Sequence, residues 1–475
     1  MTALDKEVAA LSRADRLAGL KRIIPRQRIK RVLRLCRKQR SCPRLPAFFM
    51  VWFVLAMGLF CRDCYRQVFR WIRPWSKLGV PGRSTLCEAR GRLGVRPLVL
   101  LAKETVRFLA EPQTPGAFYR ASATTAAEGK ASAAQAEPPL RLVAIDGFVL
   151  DLPDTPENER VFGRPPGSRA PGAFPQARIV ALCEAGTHVM AHWLCKPIRV
   201  AEQFMADYLL RFLTPGMLLM WDRNFLSYAR VGRVIRTGAQ LLARVQKGLI
   251  FQPIQRLSDD SYLARLYADA TARKHDREGI LLRVIDYTFD DPRRPGAGEK
   301  HRLLTTLLDE AAHPSATLIE LYHQRWEQEL AIDEIKTHEM ERPTLRSQTP
   351  AGVVQEVYAL LLGHFVIRRL MFEAASRVGA EGEACGVDPR RLSFTGTLKI
   401  LRCRIPGCPE HPAGQRRWWE DLMAEIGQEQ LEPRRNRINP RVIKRKMSKW
   451  KKKRPIHRNY PQPSKPFGRS IVMIR

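Results

Sequence analysis

Two acids stand at unusual places in this chain of 475 residues. Asp146 follows the apolar run Leu142, Val143, Ala144 and Ile145, and Asp222 follows Leu218, Leu219, Met220 and Trp221. Each reads as a carboxylate at the end of a buried strand. An isolated buried carboxylate costs on the order of several kcal/mol unless it is paired or binds a metal. If the two strands lie side by side, both acids point at one spot, and two hard oxygen ligands completed by water suit magnesium. The plainer alternative for either acid is a turn or a helix cap, and Asp146-Gly147 is a common turn dipeptide.

A third group lies in the segment YHQRWEQELAIDEIK. Read as one helix with about 100° per residue and Tyr322 at zero, Arg325 falls near 300°, Glu329 near 340° and Lys336 near 320°. One face then carries a phenol, two cations and a carboxylate. The plainer alternative is a surface ladder, since Arg325 and Glu329 are spaced for an i,i+4 ion pair. Lys336 is about 10 Å along the axis from Glu329, too far to pair with it. A carboxylate with cations on both sides suits a metal site beside a nucleic-acid backbone.

The elements that would position these groups are legible. RLVAIDGFVLDL reads as a strand, and RIVALCEAGTHVMAHWL reads as a hairpin turning at Gly186. Ala201 to Leu213 reads as an amphipathic helix, and Met217 to Trp221 as a short strand ending at Asp222. LLARVQKGLIF, ILLRVIDYTF and HRLLTTLL are three further candidate strands between Gln240 and about Asp309. A helix is predicted from about Ser315 to Thr337, and a longer one with a nearly all-apolar middle from Val353 to Arg377.

Charge sets the class of partner. Lys plus Arg number 81 and Asp plus Glu 47, a net charge of +34. Self-repulsion of that size calls for a polyanion. Apolar residues at 45% and charged residues at 27% are ordinary globular values, which excludes a disordered chain. Residues 21–44 hold eleven basic residues and no acid, with Ile29, Val32, Leu33 and Leu35 at near-helical spacing. This predicts a basic amphipathic helix able to lie on phosphates. A second helical segment is read around Cys64–Trp75. In GRSTLCEARGRLG, Ser84 reads as an N-cap and Gly94 as the stop of a helix carrying Arg90 and Arg92, both assigned to DNA contact. Together these suggest a helical DNA-binding domain of helix-turn-helix type. Sixteen Lys or Arg and no acid follow Pro433, a block that is usually disordered until it meets a polyanion.

The uncharged run Pro46 to Cys61 is 16 residues long, short of the roughly 20 a membrane span needs, and reads as a buried helix. MTALDKEVAA has acids and no apolar core, so no secretory signal is read and a cytoplasmic protein is expected. The ten cysteines are expected to be thiols. Cys61 with Cys64 supplies half a zinc site, and Cys403, Cys408 and His411 a loosely spaced three; both read more simply as packing.

Tyr322, Arg325, Glu329 and Lys336 match Y-x(2)-R-x(3)-E-x(6)-K, and here the chain resembles the IS-four-type bacterial insertion-sequence transposases of the DDE group. IDGFVLDLPDTPENERVFGRP resembles their first-Asp region and WDRNF their second. LRSQTPAGVVQEVYALLL and GRSTLCEARGRLG also look like family sequence, and the resemblance covers roughly residues 20–380. Phe148 departs from the small or hydroxyl residue often found after Asp-Gly. No Trp lies between Trp221 and Trp326, so a base-trapping Trp of the insertion, which some relatives use, has no counterpart.

The resemblance implies an α/β fold with an RNase H-like core and a strand-rich insertion. It implies two Mg²⁺ ions, replaceable by Mn²⁺, held by Asp146, Asp222 and Glu329. It also implies cut-and-paste transposition through hairpinned ends, with Tyr322, Arg325 and Lys336 gripping the DNA backbone. The partners would be double-stranded DNA, as the element's own inverted repeats and its target, and a second copy in a synaptic dimer; a cytoplasmic, nucleoid-associated bacterial protein is implied. The organisation expected is a helical DNA-binding domain over 1–110, a linker over 111–139, a catalytic domain over 140–380 with its insertion at about 235–310, and a C-terminal region with a basic tail over 381–475. Two other readings share these features: a different RNase H-like nuclease, and a regulator derived from a transposase that binds DNA without cutting it.

Overall fold

The computed structural model describes residues 16–38, 45–73, 79–122, 137–167, 171–246, 248–378, 386–409, 411–432, 442–443, 451–452, 454–457 and 461–474. The chain forms two compact units. One comprises Met1–Phe118, Arg141–Phe212 and Trp326–Leu431; the other comprises Tyr119–Leu140, Leu213–Arg325 and Glu432–Arg475.

The first unit opens with helices α1 (Arg26–Leu35), α2 (Ala47–Leu59), α3 (Tyr65–Ile72), α4 (Arg83–Leu93) and α5 (Arg96–Thr105). In α1, Ile29, Val32 and Leu33 are buried while Lys30, Arg31 and Arg34 face outward, which is the amphipathic helix the spacing predicts. Leu35 is exposed instead of joining that stripe. Apart from Phe48, every residue of α2 is buried. A helix apolar all round needs neighbours on every side, and α2 finds one in the Pro350–Arg377 helix. There a Cβ on Gly58 would stand 2.1 Å from the Ala359 carbonyl oxygen, so only glycine permits the approach. The Pro350–Arg377 helix is itself long and apolar enough to cross a membrane, but most of its apolar stretch is buried in this unit. The N-terminal helices therefore share one core with Pro350–Arg377, Phe394–Arg404 and Pro412–Gln428 and do not build a core of their own. In α4 the cap is Gly82 and not Ser84, which lies inside the first turn; Gly94, at φ +72°, ends the helix as read.

The strands of this unit are β1 (Leu140–Asp151), β2 (Gln176–Glu184) and β3 (Met190–Pro197), an antiparallel meander. Asp146 is not the end of its strand: β1 continues five residues further, and Asp146 pairs directly with Ala181 of β2. Phe148, Leu150, Ile179, Ala181 and Met190 form an apolar face that receives Ala331 and Ile335. Those two residues belong to the unit's third segment, where the predicted single helix does not exist. The Ser315–His323 helix stops, Gln324 and Arg325 form a turn, a new helix runs Trp326–Asp333, and a π-helix follows over Glu334–Glu339. The 100° wheel across Tyr322 to Lys336 therefore does not hold.

In the second unit, β4 (Met217–Trp221) and β5 (Gln240–Arg244) run parallel, joined by the helix Tyr228–Arg236. This βαβ unit makes β5 a core strand, so the extra strands begin after it, later than residue 235. They are β6 (Gln255–Arg256), β7 (Tyr262–Leu266), β8 (Ile280–Phe289) and β9 (His301–Thr305), all joined by antiparallel pairing, with β9 hydrogen-bonded to β5. An antiparallel meander followed by a parallel βαβ pair is the strand grammar of an RNase H-like core. The tail brings a difference: β10 (Ile471–Met473) pairs antiparallel with Phe289, Thr288 and Tyr287 of β8. Around it Phe467 stacks on His323, and Ser464 and Lys465 donate backbone N–H groups to Asp291. The described end of the basic tail is thus docked by ordinary sheet pairing. The predicted linker contains the short strand Phe118–Tyr119, and its residues 123–136 lie outside the described residues, as do Arg40, Arg44 and most of 433–460.

Candidate catalytic residues and their supports

In the first unit Asp146 is half-buried, and its Oδ1 accepts the Gly147 N–H at 2.8 Å. A Cβ on Gly147 would meet Glu202 Oε1 at 2.9 Å, so a larger residue there would have to push that side chain aside. Glu329 is half-buried on the Trp326–Asp333 helix. Its neighbour Gln328 is buried and donates from Nε2 to the carbonyl of Ala181 at 3.2 Å. Lys336 is exposed on the π-helix, as a phosphate contact requires.

That π-helix is anchored by a buried polar network that no motif or spacing announces. Glu334 accepts from Arg368 Nε at 2.8 Å and pairs again with its Nη2. His188 Nδ1 lies 2.9 Å from Glu334 Oε1, and His364 Nε2 lies 3.1 Å from Glu334 Oε2. Burial opposes the charge on Glu334, but Arg368 and His188 outweigh it and hold the carboxyl well below its usual range. Glu339, five residues on, is fully buried, and burial pushes its carboxyl well above that range.

The second unit holds Asp222 directly after β4. The carboxylate accepts the Arg223 N–H at 2.8 Å and so caps the short helix Arg223–Phe225. Tyr322, on the Ser315–His323 helix, donates its hydroxyl to the Trp221 carbonyl at 3.1 Å, the residue before Asp222. Burial drives this phenol above its ordinary value; Arg325 pulls it down and Asp222 pushes it up. The hydroxyl is therefore a proton donor to the end of β4. The Arg325 guanidinium stands 6.0 Å from the centre of the Tyr322 ring, in cation–π range.

Of the two arginines read as DNA contacts on α4, one is corrected. Arg90 is 4% exposed, and its guanidinium donates to Tyr65 Oη at 2.6 Å, Ser347 Oγ at 3.1 Å and the Gly352 carbonyl at 3.1 Å. It joins α4 to α3 and to the start of the long helix, and it does not reach DNA. Arg92, two residues on, is about half exposed and stays available to a phosphate. Of the two sets of zinc candidates, His411 of the loosely spaced three caps the Pro412–Gln428 helix, and the Cys61 thiol of the CxxC pair donates to the carbonyl of Gly58. Within either unit, no three described His, Cys, Asp or Glu side chains stand close enough together to hold a metal ion, and the three acids are divided between the units, Asp146 and Glu329 in the first and Asp222 in the second.

Residues 14–102 match the family of insertion element 4 transposase N-terminal domains, and residues 137–366 match the transposase DDE domain, so that all three acids fall inside the second match. A relative from Escherichia coli (strain K12), the transposase InsG for insertion sequence element IS4, is 27% identical over 418 residues, covering 86% of this chain and 87% of its own. The putative transposase InsZ of the same organism is 25% identical over 186 residues, 39% of this chain and 56% of its own. Among solved structures, a piggyBac transposase synaptic complex with hairpin DNA aligns at a TM-score of 0.43 and 12% identity, over 87% of this chain and 85% of that one. The two family matches together cover more than half of the chain. The chain therefore belongs to the IS-four-type DDE transposases, metal-dependent enzymes that cleave and transpose DNA.

Proposed function

We propose that this transposase excises its own element by cut-and-paste, with Asp146, Asp222 and Glu329 sharing two Mg²⁺ ions. Mn²⁺ would serve in their place. The observation that carries the reading is the DDE match spanning the three acids, together with their supports: a ladder pair for Asp146, a strand end for Asp222 and a tethered helix for Glu329. The donor chemistry fits, because three carboxylates without thiolate or imidazole suit a hard divalent ion. Such ions, when bound, lower the pKa of an attacking water or hydroxyl and neutralise charge at the scissile phosphate.

The chain's own residues do the rest. Tyr322 holds the end of β4, so that Asp222 keeps its direction. Arg325, Lys336 and Arg92 meet phosphates of the transposon end, and the outward cations of α1 extend that contact. The end is cut and passes through a hairpin before it is joined to target DNA. Two copies bring the two inverted repeats together in a synaptic dimer, and the protein works in the cytoplasm at the nucleoid.

The test is a labelled duplex carrying the gene's flanking inverted repeat, incubated with protein and Mg²⁺ and resolved on a denaturing gel. Nicking at the repeat boundary followed by a hairpin product is expected, with none from Glu329→Ala. Specific end binding without cleavage in any divalent metal would replace this reading with the non-catalytic regulator.

A further inference from the structure

One buried imidazole grips the chain on both sides of Glu329. His188 sits in the turn between β2 and β3 at φ +58°, a left-handed conformation that costs a non-glycine residue about 1 kcal/mol or more. It is 1% exposed. Its Nε2 lies 2.7 Å from Glu327 Oε2 and its Nδ1 lies 2.9 Å from Glu334 Oε1. Glu327 precedes Glu329 by two residues and Glu334 follows it by five. Between these two points Gln328 is tied to Ala181, the cross-strand partner of Asp146.

Apolar contacts alone leave a helix free to slide and turn by small amounts, because they have no direction. Ala331 and Ile335 supply such contacts against the meander. Hydrogen bonds at three points along the segment remove both freedoms. The π geometry belongs to the same device: it widens the turn at Glu334, where Arg368 and His364 hold the carboxylate beside His188. A left-handed residue and a π-turn, both unfavourable alone, persist where the surroundings over-determine them.

We infer that His188 is a positioning residue, which through Glu327 and Glu334 sets the height and rotation of the helix bearing Glu329 and thereby the affinity of the site for a divalent ion. The inference rests on the proposed role of Glu329 as a metal ligand.

The full-length protein, without DNA, is titrated with Mn²⁺ and the free ion is read by electron paramagnetic resonance. His188→Ala should bind Mn²⁺ about tenfold more weakly, the lower end of what losing a residue behind a metal ligand costs. The Mn²⁺ midpoint for cleavage of an inverted-repeat duplex should move by the same factor. The rate at saturating Mn²⁺ should return to within about threefold of the parent, and end binding should not change. A residue needed only for packing would lower the melting temperature and leave the Mn²⁺ midpoint where it was. Glu327→Ala removes the outer arm and keeps the buried Glu334–Arg368 pair, so it decides the matter if His188→Ala does not fold; it should move the midpoint the same way by less. Unchanged Mn²⁺ binding and an unchanged midpoint in the folded variant overturn the inference. Glu329→Ala separates the two levels. If it binds Mn²⁺ like the parent, the underlying assignment fails; if it loses Mn²⁺ while His188→Ala does not, only the role of His188 fails.

Discussion

Asp146 and Asp222 both follow short apolar runs, yet the two units hold them by different means. Asp146 lies within a twelve-residue strand and is flanked by ladder pairs on both sides, from Val143 with Glu184 to Asp151 with Gln176. Asp222 lies just past a five-residue strand, and what fixes the backbone before it is a side chain, the Tyr322 hydroxyl on the Trp221 carbonyl. A carboxylate inside a ladder takes its direction from many backbone bonds. A carboxylate at a strand end depends on few, and one substitution elsewhere can release it.

The largest effects should not tell the two acids apart. Asp146→Ala and Asp222→Ala should each reduce cleavage of a transposon end by on the order of a thousandfold or more, with end binding retained in a gel-shift measurement. Substantial cleavage by either would remove that acid from the site. The comparison sharpens one step lower. Tyr322→Phe keeps the ring and removes the hydroxyl, leaving the Trp221 carbonyl without that donor at a cost of about 1 kcal/mol. Cleavage should fall between about fivefold and tenfold, measured as single-turnover rates at saturating metal. If Tyr322→Phe instead weakens end binding and leaves the bound rate unchanged, the phenol touches DNA and the contrast between the two acids breaks. The smallest effect belongs to an exposed cation that supports neither acid. Lys336→Ala should weaken end binding a few-fold and lower the salt slope by about one unit, with the cleavage rate of bound DNA unchanged. An unchanged slope would show that Lys336 meets no phosphate.

Much of this was legible in the sequence. The acids after apolar runs, the meander and the all-apolar helix α2 all follow from hydrophobic periodicity, which burial enforces along a whole element, whereas the helix Tyr228–Arg236 that joins β4 to β5 is not among the elements read from the sequence. The failures have local causes. Residues 315–337 look like one helix because no Pro or Gly interrupts them, and no residue type marks the break at Gln324–Arg325. The π-helix depends on Arg368 and His188, which are far from it in sequence. Arg90 and Arg92 carry the same charge two residues apart, and only the helix face decides that one is buried against Tyr65 and the other meets solvent. The sequence leads one to expect Tyr322 on the DNA backbone, but its hydroxyl donates to the Trp221 carbonyl, which residue type cannot reveal. The strands β6 and β7 are short, and β10 is three residues in a stretch dominated by charge, so neither periodicity nor composition announces them.

The pairing of β10 with β8 sets a clock on the making of the enzyme. Phe289 and Ile471 are register partners, so the far end of β8, Tyr287 to Phe289, stays open on one side while the ribosome adds about 180 further residues, roughly ten to forty seconds at ordinary bacterial elongation rates. During that interval the unit carrying Asp222 presents an unpaired strand edge, a template on which a neighbouring nascent chain can pair. Polysomes translating this message crowd such edges together, and a slower ribosome lengthens the exposure. The yield of working enzyme should therefore depend on how fast the last third of the message is read, and a chain stopped before Ile471 would leave the edge unsealed.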